Sequence, residues 1–123
     1  RITSENEEVA IEEFIDMYNM RSYNLHSRQN DIKFMKNLDF EGVYLIHNID
    51  KDIYYVGKGY QVFKKIDRHF RGYGHSEIYE DWKKGDRFSV RIVRFDGSGY
   101  DNLNILEQNL GRKYGAYKNG YNK

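Results

Sequence analysis

Apolar residues recur at helical spacing in five segments of the chain. The predicted helices cover residues 4–20, 30–38, 62–70, 76–85 and 101–117. In the first segment, Ser4 and Glu7 have the spacing of a capping box, so we expect that helix to begin at Ser4. Phe14, Ile15 and Tyr18 follow on one face, which suits either packing on a core or dimerisation.

The pattern changes at Gly42, where alternating and β-branched residues predict three strands. The predicted strands cover residues 42–49, 53–57 and 87–95. A short polar turn separates the first two, which predicts a hairpin. The order of elements predicts an α/β (α+β) fold, with a three-stranded, mostly antiparallel sheet flanked by helices. We assign residues 41–123 to this domain and residues 1–40 to a helical N-terminal extension.

Length and composition fit one globular domain. The chain has 123 residues, of which 39% are hydrophobic, enough for one core. It contains no Cys, which excludes disulfides and thiolate metal sites and agrees with a cytoplasmic location. No apolar run approaches the roughly 20 residues of a membrane span, so we expect no membrane partner. The sequence begins at Arg1, which leaves open whether the native chain extends upstream.

Charge is distributed unevenly along the chain. Residues 1–40 contain five Lys/Arg against eight Asp/Glu, a net charge of −3. Residues 41–123 contain fifteen Lys/Arg against eleven Asp/Glu, a net charge of +4, and most of the twelve tyrosines. Basic residues interleaved with aromatic rings are compatible with a nucleic-acid partner, but a surplus of this size does not identify one.

The hairpin carries the first candidate residues for chemistry. Tyr44 and Tyr55 lie on neighbouring strands and can project from the same face of the sheet. Gly57 follows, and a glycine there allows the backbone to approach a ligand or another chain closely. Two tyrosines on a hairpin are also typical of ordinary packing, so the pair alone does not establish a site.

Two further positions could handle phosphate. Lys65 and His69 are spaced i, i+4 on the third predicted helix and are therefore neighbours on one face. Basic groups in such a position stabilise the charge that develops in phosphoryl transfer, although a solvated basic face has the same pattern. Glu107 lies beside the leucine stripe of the last helix and is either an exposed flanking residue or a ligand for Mg²⁺ that substrate phosphates complete.

Together these residues resemble the GIY-YIG nucleases. Gly42-Val43-Tyr44 and Tyr55-Val56-Gly57 are similar to the two triplets that define that family. The resemblance extends to a basic residue and a His on the following helix, a Glu on a later helix and an Asn in a terminal Gly-Tyr-Asn turn. These positions correspond to Lys65, His69, Glu107 and Asn122. The resemblance covers about residues 41–123.

The resemblance implies a metal-dependent endonuclease that hydrolyses phosphodiester bonds of double-stranded DNA. It implies one Mg²⁺ (or Mn²⁺) ion held by Glu107 and a water that attacks the phosphate in line. Tyr44 would be the general base or would orient it, with Tyr55 beside the phosphate. Lys65 would stabilise the transition state, and His69 and Asn122 would complete the hydrogen bonds. Gly42 and Gly57 would keep the hairpin backbone clear.

The chain departs from the family at one position. The family usually has Arg where this sequence has Lys65, and Arg68 lies at a different position on the helix. Guanidinium binds two phosphate oxygens as a fork, whereas ammonium is a point charge. Three explanations stay open: an engineered replacement that traps an inactive form, a natural Lys of reduced efficiency aided by Arg68, or a non-cleaving DNA-binding domain. A protein-interaction domain that uses the acidic N-terminal helices is a further alternative.

DNA contacts outside the motif are expected mainly from the segment at residues 71–86. Its basic residues, together with two near the hairpin and the following helix, form the predicted DNA-binding set. The set consists of Lys58, Arg68, Arg71, His75, Lys83 and Lys84. The segment is equally typical of a solvated connector. The oligomeric state, including a homodimer, the target DNA and the biological role stay open.

Overall fold

The computed structural model describes residues 5–23 and 39–123, with side chains for all of these except residues 20–23. Four antiparallel strands form one sheet in the order β1-β4-β2-β3. The strands are β1 (Val9–Ala10), β2 (Gly42–Asn48), β3 (Ile53–Gly59) and β4 (Phe88–Arg94). The helices are α1 (Ile11–Tyr23), α2 (Val62–His69), α3 (Ser76–Lys83) and α4 (Leu103–Lys113). None of the described helices is long and apolar enough to cross a membrane.

The predicted α+β class is confirmed, but the number of strands was wrong, because β1 is a fourth strand. It is only two residues long, pairs Val9 with Val90 and lies where the sequence predicted a helix. Two residues are too few to produce a visible alternation. The backbone just before β1 is held on the sheet because Arg91 donates a hydrogen bond to the carbonyl of Glu5 at 3.0 Å.

The structure confirms most of the other predicted elements with changed bounds, and part of the chain lies outside the described residues. The first helix begins at Ile11, seven residues later than expected from Ser4, which lies outside the described residues. The predicted helix at residues 30–38 also lies outside them. The hairpin is confirmed as β2 and β3, and β3 continues to Gly59 rather than ending at Gly57. The three remaining helices and β4 are confirmed with shorter bounds.

The two faces of the sheet carry different cores, and this division positions the site. Tyr44 and Ile46 of β2 belong to the cluster with Ile66 of α2. The alternate residues Val43 and Leu45 belong to the cluster with α4. Because successive strand residues point to opposite faces, Tyr44 faces α2. Val9, Ile11 and Phe14 join the same cluster as Tyr44, so the described N-terminal residues share its core.

The start of α2 is capped from a distance by Asp39. The residue at the N-cap position, Gln61, makes no side-chain capping bond. The Asp39 carboxylate instead accepts hydrogen bonds from the backbone N–H groups of Phe63, at 2.9 Å, and Lys64, at 3.1 Å. It thus satisfies two of the amides that every helix start leaves without an intrahelical partner.

We expect Asp39→Ala to lower the free energy of unfolding by about 1–2 kcal/mol, the usual effect of removing a helix cap. Urea unfolding followed by circular dichroism measures it. Asp39→Asn retains an acceptor oxygen and should recover most of the loss. Equal unfolding midpoints for Asp39→Ala and the parent chain would contradict the capping role.

Candidate active site

The hairpin brings Tyr44 and Tyr55 together on one face of the sheet. The register pairs Tyr44 with Gly57 and Ile46 with Tyr55, so the tyrosines are diagonal neighbours. Their ring centroids lie 6.1 Å apart, and Tyr44 is only 2% exposed. A Cβ at Gly57 would overlap the Tyr44 ring and hydroxyl. The glycine therefore lets the buried ring reach across β3.

The glycine of the other triplet has a different role. A Cβ at Gly42 would overlap the backbone carbonyl of Val93 on the neighbouring strand β4. Gly42 therefore permits close pairing between β2 and β4 and does not touch the tyrosines. Each glycine therefore makes room for a neighbouring group, Gly57 for the Tyr44 ring and Gly42 for the backbone of β4.

His69 at the end of α2 meets Tyr44 directly. Its Nε2 lies 2.8 Å from the Tyr44 hydroxyl oxygen. Its Nδ1 accepts a hydrogen bond from the backbone N–H of His75 at 2.9 Å. Since Nδ1 accepts, the proton of the neutral ring is on Nε2, and His69 donates to Tyr44. A Cβ at Gly74 would overlap the His69 ring, so only glycine fits at that loop position without a shift of the ring.

Both groups are held in their neutral forms. Burial, followed by the nearby charges of His75 and Lys65, lowers the pKa of His69 to about 4. Burial is also the largest cause that raises the pKa of Tyr44, and interaction with Tyr55 and the charge of Glu107 add to it. At neutral pH the pair is therefore an imidazole that donates a hydrogen bond to an intact phenol.

The lowered pKa predicts that the fold is less stable in mild acid. The unfolded chain binds the His69 proton near pH 6.5, whereas the folded chain binds it only near pH 4. Stability from this group is therefore full above pH 6.5 and is lost as the pH falls towards 4. We expect a loss of about 2 kcal/mol in the free energy of unfolding between pH 7 and pH 5.

Urea unfolding at both pH values measures this loss, and carboxylates stay mostly ionised over that interval. His69→Gln is the matched variant because an amide can donate and accept without titrating. Its free energy of unfolding should depend much less on pH. The same pH dependence in both proteins would show that His69 does not titrate as inferred.

A cleft of about 710 Å³ opens beside this pair. Tyr44, Tyr55, His69, Lys65, Arg68 and His75, all predicted site or DNA-binding residues, line it. Sequence reasoning missed a second group of lining residues, which come mainly from the two loops flanking α2 and from the start of that helix. This group is Tyr60, Gln61, Lys64, Tyr73 and Gly74. Lys64 could have been found from its place beside Lys65, but the loop residues carry no motif.

The cleft is strongly basic on the α2 side. Lys64, Lys65 and Arg68 are all exposed and line it. The Lys65 ammonium is near enough to His69 to lower the pKa of that ring. Three cations beside a buried hydroxyl would attract an anion. Arg68 thus shares the cleft with Lys65, although it occupies another position on the helix.

Glu107 stands on α4, which packs on the opposite face of the sheet through Leu106 and Leu110. The carboxylate still acts on the tyrosines, because its charge contributes to the raised pKa of both Tyr44 and Tyr55. Its side chain is 20% exposed and forms an ion pair with Lys58 at 3.5 Å. Lys58 also donates a hydrogen bond to Asn104.

The residues around Glu107 fit a divalent cation only if most of its ligands come from water and substrate. Among residues 5–19 and 39–123, no three His, Asp or Glu side chains converge on a metal position. A cation at Glu107 would therefore have a single protein carboxylate, with water and phosphate oxygens as its other ligands. Mg²⁺ commonly binds in that way. The ammonium of Lys58, which lies 3.5 Å from the carboxylate, would have to move away for the cation to bind.

The side chain of Asn122 forms hydrogen bonds with the backbone of β3. Its side-chain oxygen accepts from the Val56 N–H, and its amide donates to the Val56 carbonyl, both at 2.8 Å. The backbone N–H of Tyr121 donates to the Tyr54 carbonyl at 2.9 Å. The terminal turn thus pairs with the outer edge of β3. Here Asn122 holds the strand that carries Tyr55, and its polar atoms do not line the cleft.

Four residues of the predicted DNA-binding set do not line the cleft. Lys58 is paired with Glu107, and Arg71 forms an ion pair with Asp67 at 2.7 Å. Lys83 lies over the ring of Tyr79 at 4.9 Å, and Lys84 is exposed just beyond α3. Arg68 and His75 are therefore the members of that set that join the tyrosines.

His75 adds a polar group to the rim. Its Nε2 lies 3.1 Å from the carbonyl oxygen of Tyr121, which can only accept, so Nε2 carries the proton. Its Nδ1 is buried and has no hydrogen-bond partner among the described residues. Comparison with family models, with curated protein sequences and with solved structures gave no match.

Proposed function

We propose that this chain is a metal-dependent DNA endonuclease of the GIY-YIG type that hydrolyses phosphodiester bonds. The observation that carries the proposal is the hydrogen-bonded Tyr44–His69 pair in a cleft lined by Lys64, Lys65 and Arg68. A phosphodiester is an anion whose hydrolysis needs a positioned water and positive charge around the phosphate. The cleft supplies groups for both.

Tyr44 orients the attacking water. Burial raises its pKa, so the phenol keeps its proton until the substrate is bound. The Nε2–H of His69 donates to the hydroxyl oxygen, and Tyr44 also has a hydrogen-bonding interaction with Tyr55, so the water shares the remaining positions around the hydroxyl with Tyr55. If Tyr44 loses its proton to solvent once the substrate is bound, the same N–H stabilises the phenolate, which can then accept a proton from the attacking water.

The cations of α2 hold the phosphate. Lys65 and Arg68 line the same cleft as Tyr44, so an anion beside the hydroxyl lies within their field. Glu107 would hold a divalent cation, which would supply further positive charge for phosphodiester hydrolysis and would oppose the effect of that carboxylate on the tyrosines. Asn122 positions the site by holding β3 through Val56.

Plasmid nicking tests the proposal. The purified chain should convert supercoiled DNA to the open circle with Mg²⁺ or Mn²⁺ and should fail to do so with EDTA. Tyr44→Phe retains the ring that fills the space over Gly57 but removes the hydroxyl, so it should fold and should nick far more slowly. Metal-dependent nicking that is unchanged in Tyr44→Phe would assign the activity to another site or to a contaminant.

We expect Lys65→Arg to raise the nicking rate. A guanidinium can contact two phosphate oxygens where an ammonium contacts one, and one well-placed donor is commonly worth about 100-fold. A gain of roughly 10- to 100-fold is expected. The matched control is Lys64→Arg, an exposed neighbour on the same cleft, which should change the rate less. No gain in Lys65→Arg would show that Lys65 does not limit cleavage.

A non-cleaving DNA-binding domain on the same fold is the second candidate. One observation favours it: Lys58 lies 3.5 Å from Glu107, so an ammonium stands beside the carboxylate that would bind the metal. This candidate predicts DNA binding without nicking that weakens steeply with salt and that Mg²⁺ does not strengthen, since Mg²⁺ would act only as a competing cation. The nicking assay and a binding titration together distinguish the two functions.

A further inference from the structure

Two tyrosines at the cleft are far more exposed than the others. Tyr60 is 80% exposed and Tyr73 is 72% exposed. The next most exposed tyrosine among the described residues, Tyr100, is 39% exposed. Tyr60 and Tyr73 both line the cleft, whereas Tyr100 does not. Two large rings are therefore left open to solvent at one place, beside the basic face of α2.

The local backbone presents both rings. Tyr60 directly follows the last residue of β3 and precedes α2 by two residues. Tyr73 is fixed to the end of α2, because its backbone N–H donates to the Arg68 carbonyl at 2.9 Å. The Arg68 guanidinium lies 5.9 Å from the centre of the Tyr73 ring. An exposed ring and a cation thus stand side by side on a short, hydrogen-bonded loop.

We propose that Tyr60 and Tyr73 form a stacking subsite for an unpaired nucleobase next to the phosphate held by Lys65 and Arg68. The inference rests on the proposed function in one respect, namely that the anion in the cleft belongs to a nucleic acid. An exposed aromatic ring beside cations is the arrangement that binds single-stranded segments, because every base has a π-face.

The base must be unpaired for this subsite to be used. In a continuous duplex each base is covered on both faces by its neighbours, so a ring outside the helix finds no free face. At a gap, bulge or single-stranded end, one face is free. The subsite therefore makes the cleft prefer nucleic acid with unpaired bases over a fully paired duplex. Lys64, Lys65 and Arg68 give it the charge that a phosphate backbone requires and that an apolar peptide does not.

Fluorescence anisotropy with two DNA probes tests the inference. One probe is a fully paired duplex, and the other is the same duplex with two unpaired bases, one of them 2-aminopurine. Tyr60→Ala and Tyr73→Ala should each weaken binding of the unpaired probe by roughly 5- to 100-fold, with less than about a twofold change for the paired probe. The parent chain should quench 2-aminopurine, and Tyr60→Phe and Tyr73→Phe should retain binding and quenching.

Tyr100→Ala is the matched control and should change neither probe. The inference is overturned if both alanine variants bind the two probes as the parent does, if they weaken both probes equally, or if the parent binds no probe. Nicking with Mg²⁺ is scored separately. Selective loss of the unpaired probe without any nicking would support the subsite and reject the endonuclease. If both alanine variants still nick DNA and bind both probes as the parent does, the endonuclease is supported and the subsite is rejected.

Discussion

Glu107→Gln is expected to lower metal-dependent nicking by at least about 100-fold. Loss of a group that merely supports a metal ligand already costs about 10- to 100-fold, and Glu107 is the carboxylate that we propose to bind the metal. The amide has nearly the same shape, and the residue is partly exposed, so the fold should survive. DNA binding without metal should tighten, because a negative charge leaves the neighbourhood of the phosphate.

Because nicking should fall while metal-free DNA binding should tighten, the two measurements distinguish the loss of a metal ligand from damage to the fold. An unfolded variant would lose binding and nicking together, whereas a lost ligand affects only the metal-dependent step. Glu80→Gln, at an exposed position on α3 away from the cleft, is the matched control and should nick like the parent. If Glu107→Gln nicks at the parent rate while Glu80→Gln does too, Glu107 does not bind the catalytic metal.

Gly57→Ala is expected to inactivate the site by a purely steric route. The added Cβ would overlap the Tyr44 ring and hydroxyl, and Tyr44 is 2% exposed and packed in the core, so the ring could not keep its present position. Such overpacking typically costs about 1–3 kcal/mol. The displaced hydroxyl would also lose its 2.8 Å hydrogen bond with His69. Urea unfolding and plasmid nicking measure the two effects.

Gly59→Ala provides the comparison on the same strand and the same face. Its Cβ would meet only the flexible Lys65 side chain at 3.2 Å, so stability should change by less than about 1 kcal/mol. A second test is Tyr44→Leu in the Gly57→Ala background, which removes the clashing ring. It should restore stability but not nicking. If Gly57→Ala is as stable and as active as the parent, Tyr44 does not depend on that glycine.

The relative positions of the candidate residues were predicted most accurately where short-range rules apply. A tight hairpin sets its own register, so the spacing of the two triplets was enough to bring Tyr44 and Tyr55 onto one face. Helical periodicity in the same way put Lys65 and His69 on neighbouring turns of α2. The nuclease function inferred from these residues stays a prediction.

Other features depend on contacts that no local pattern encodes. The four-stranded sheet needs β1 to reach β4, across some eighty residues of chain. The cap of α2 comes from Asp39, well before that helix in sequence. Asn122 binds Val56 instead of the cleft, because the terminal turn runs along the edge of β3. In each case a long-range contact satisfied backbone groups that would otherwise lack partners.

By itself, the sequence determined the α+β class, the hairpin and the sharing of one face by the two motif tyrosines. These follow from side-chain periodicity and turn length, which act over a few residues. The tertiary structure alone decided that His69 donates to Tyr44, that Tyr60 and Tyr73 stand beside α2 and that Asn122 holds β3. Those outcomes depend on how the loops around α2 and the terminal turn pack against the sheet, and burial and hydrogen bonding set that packing only when the chain is folded.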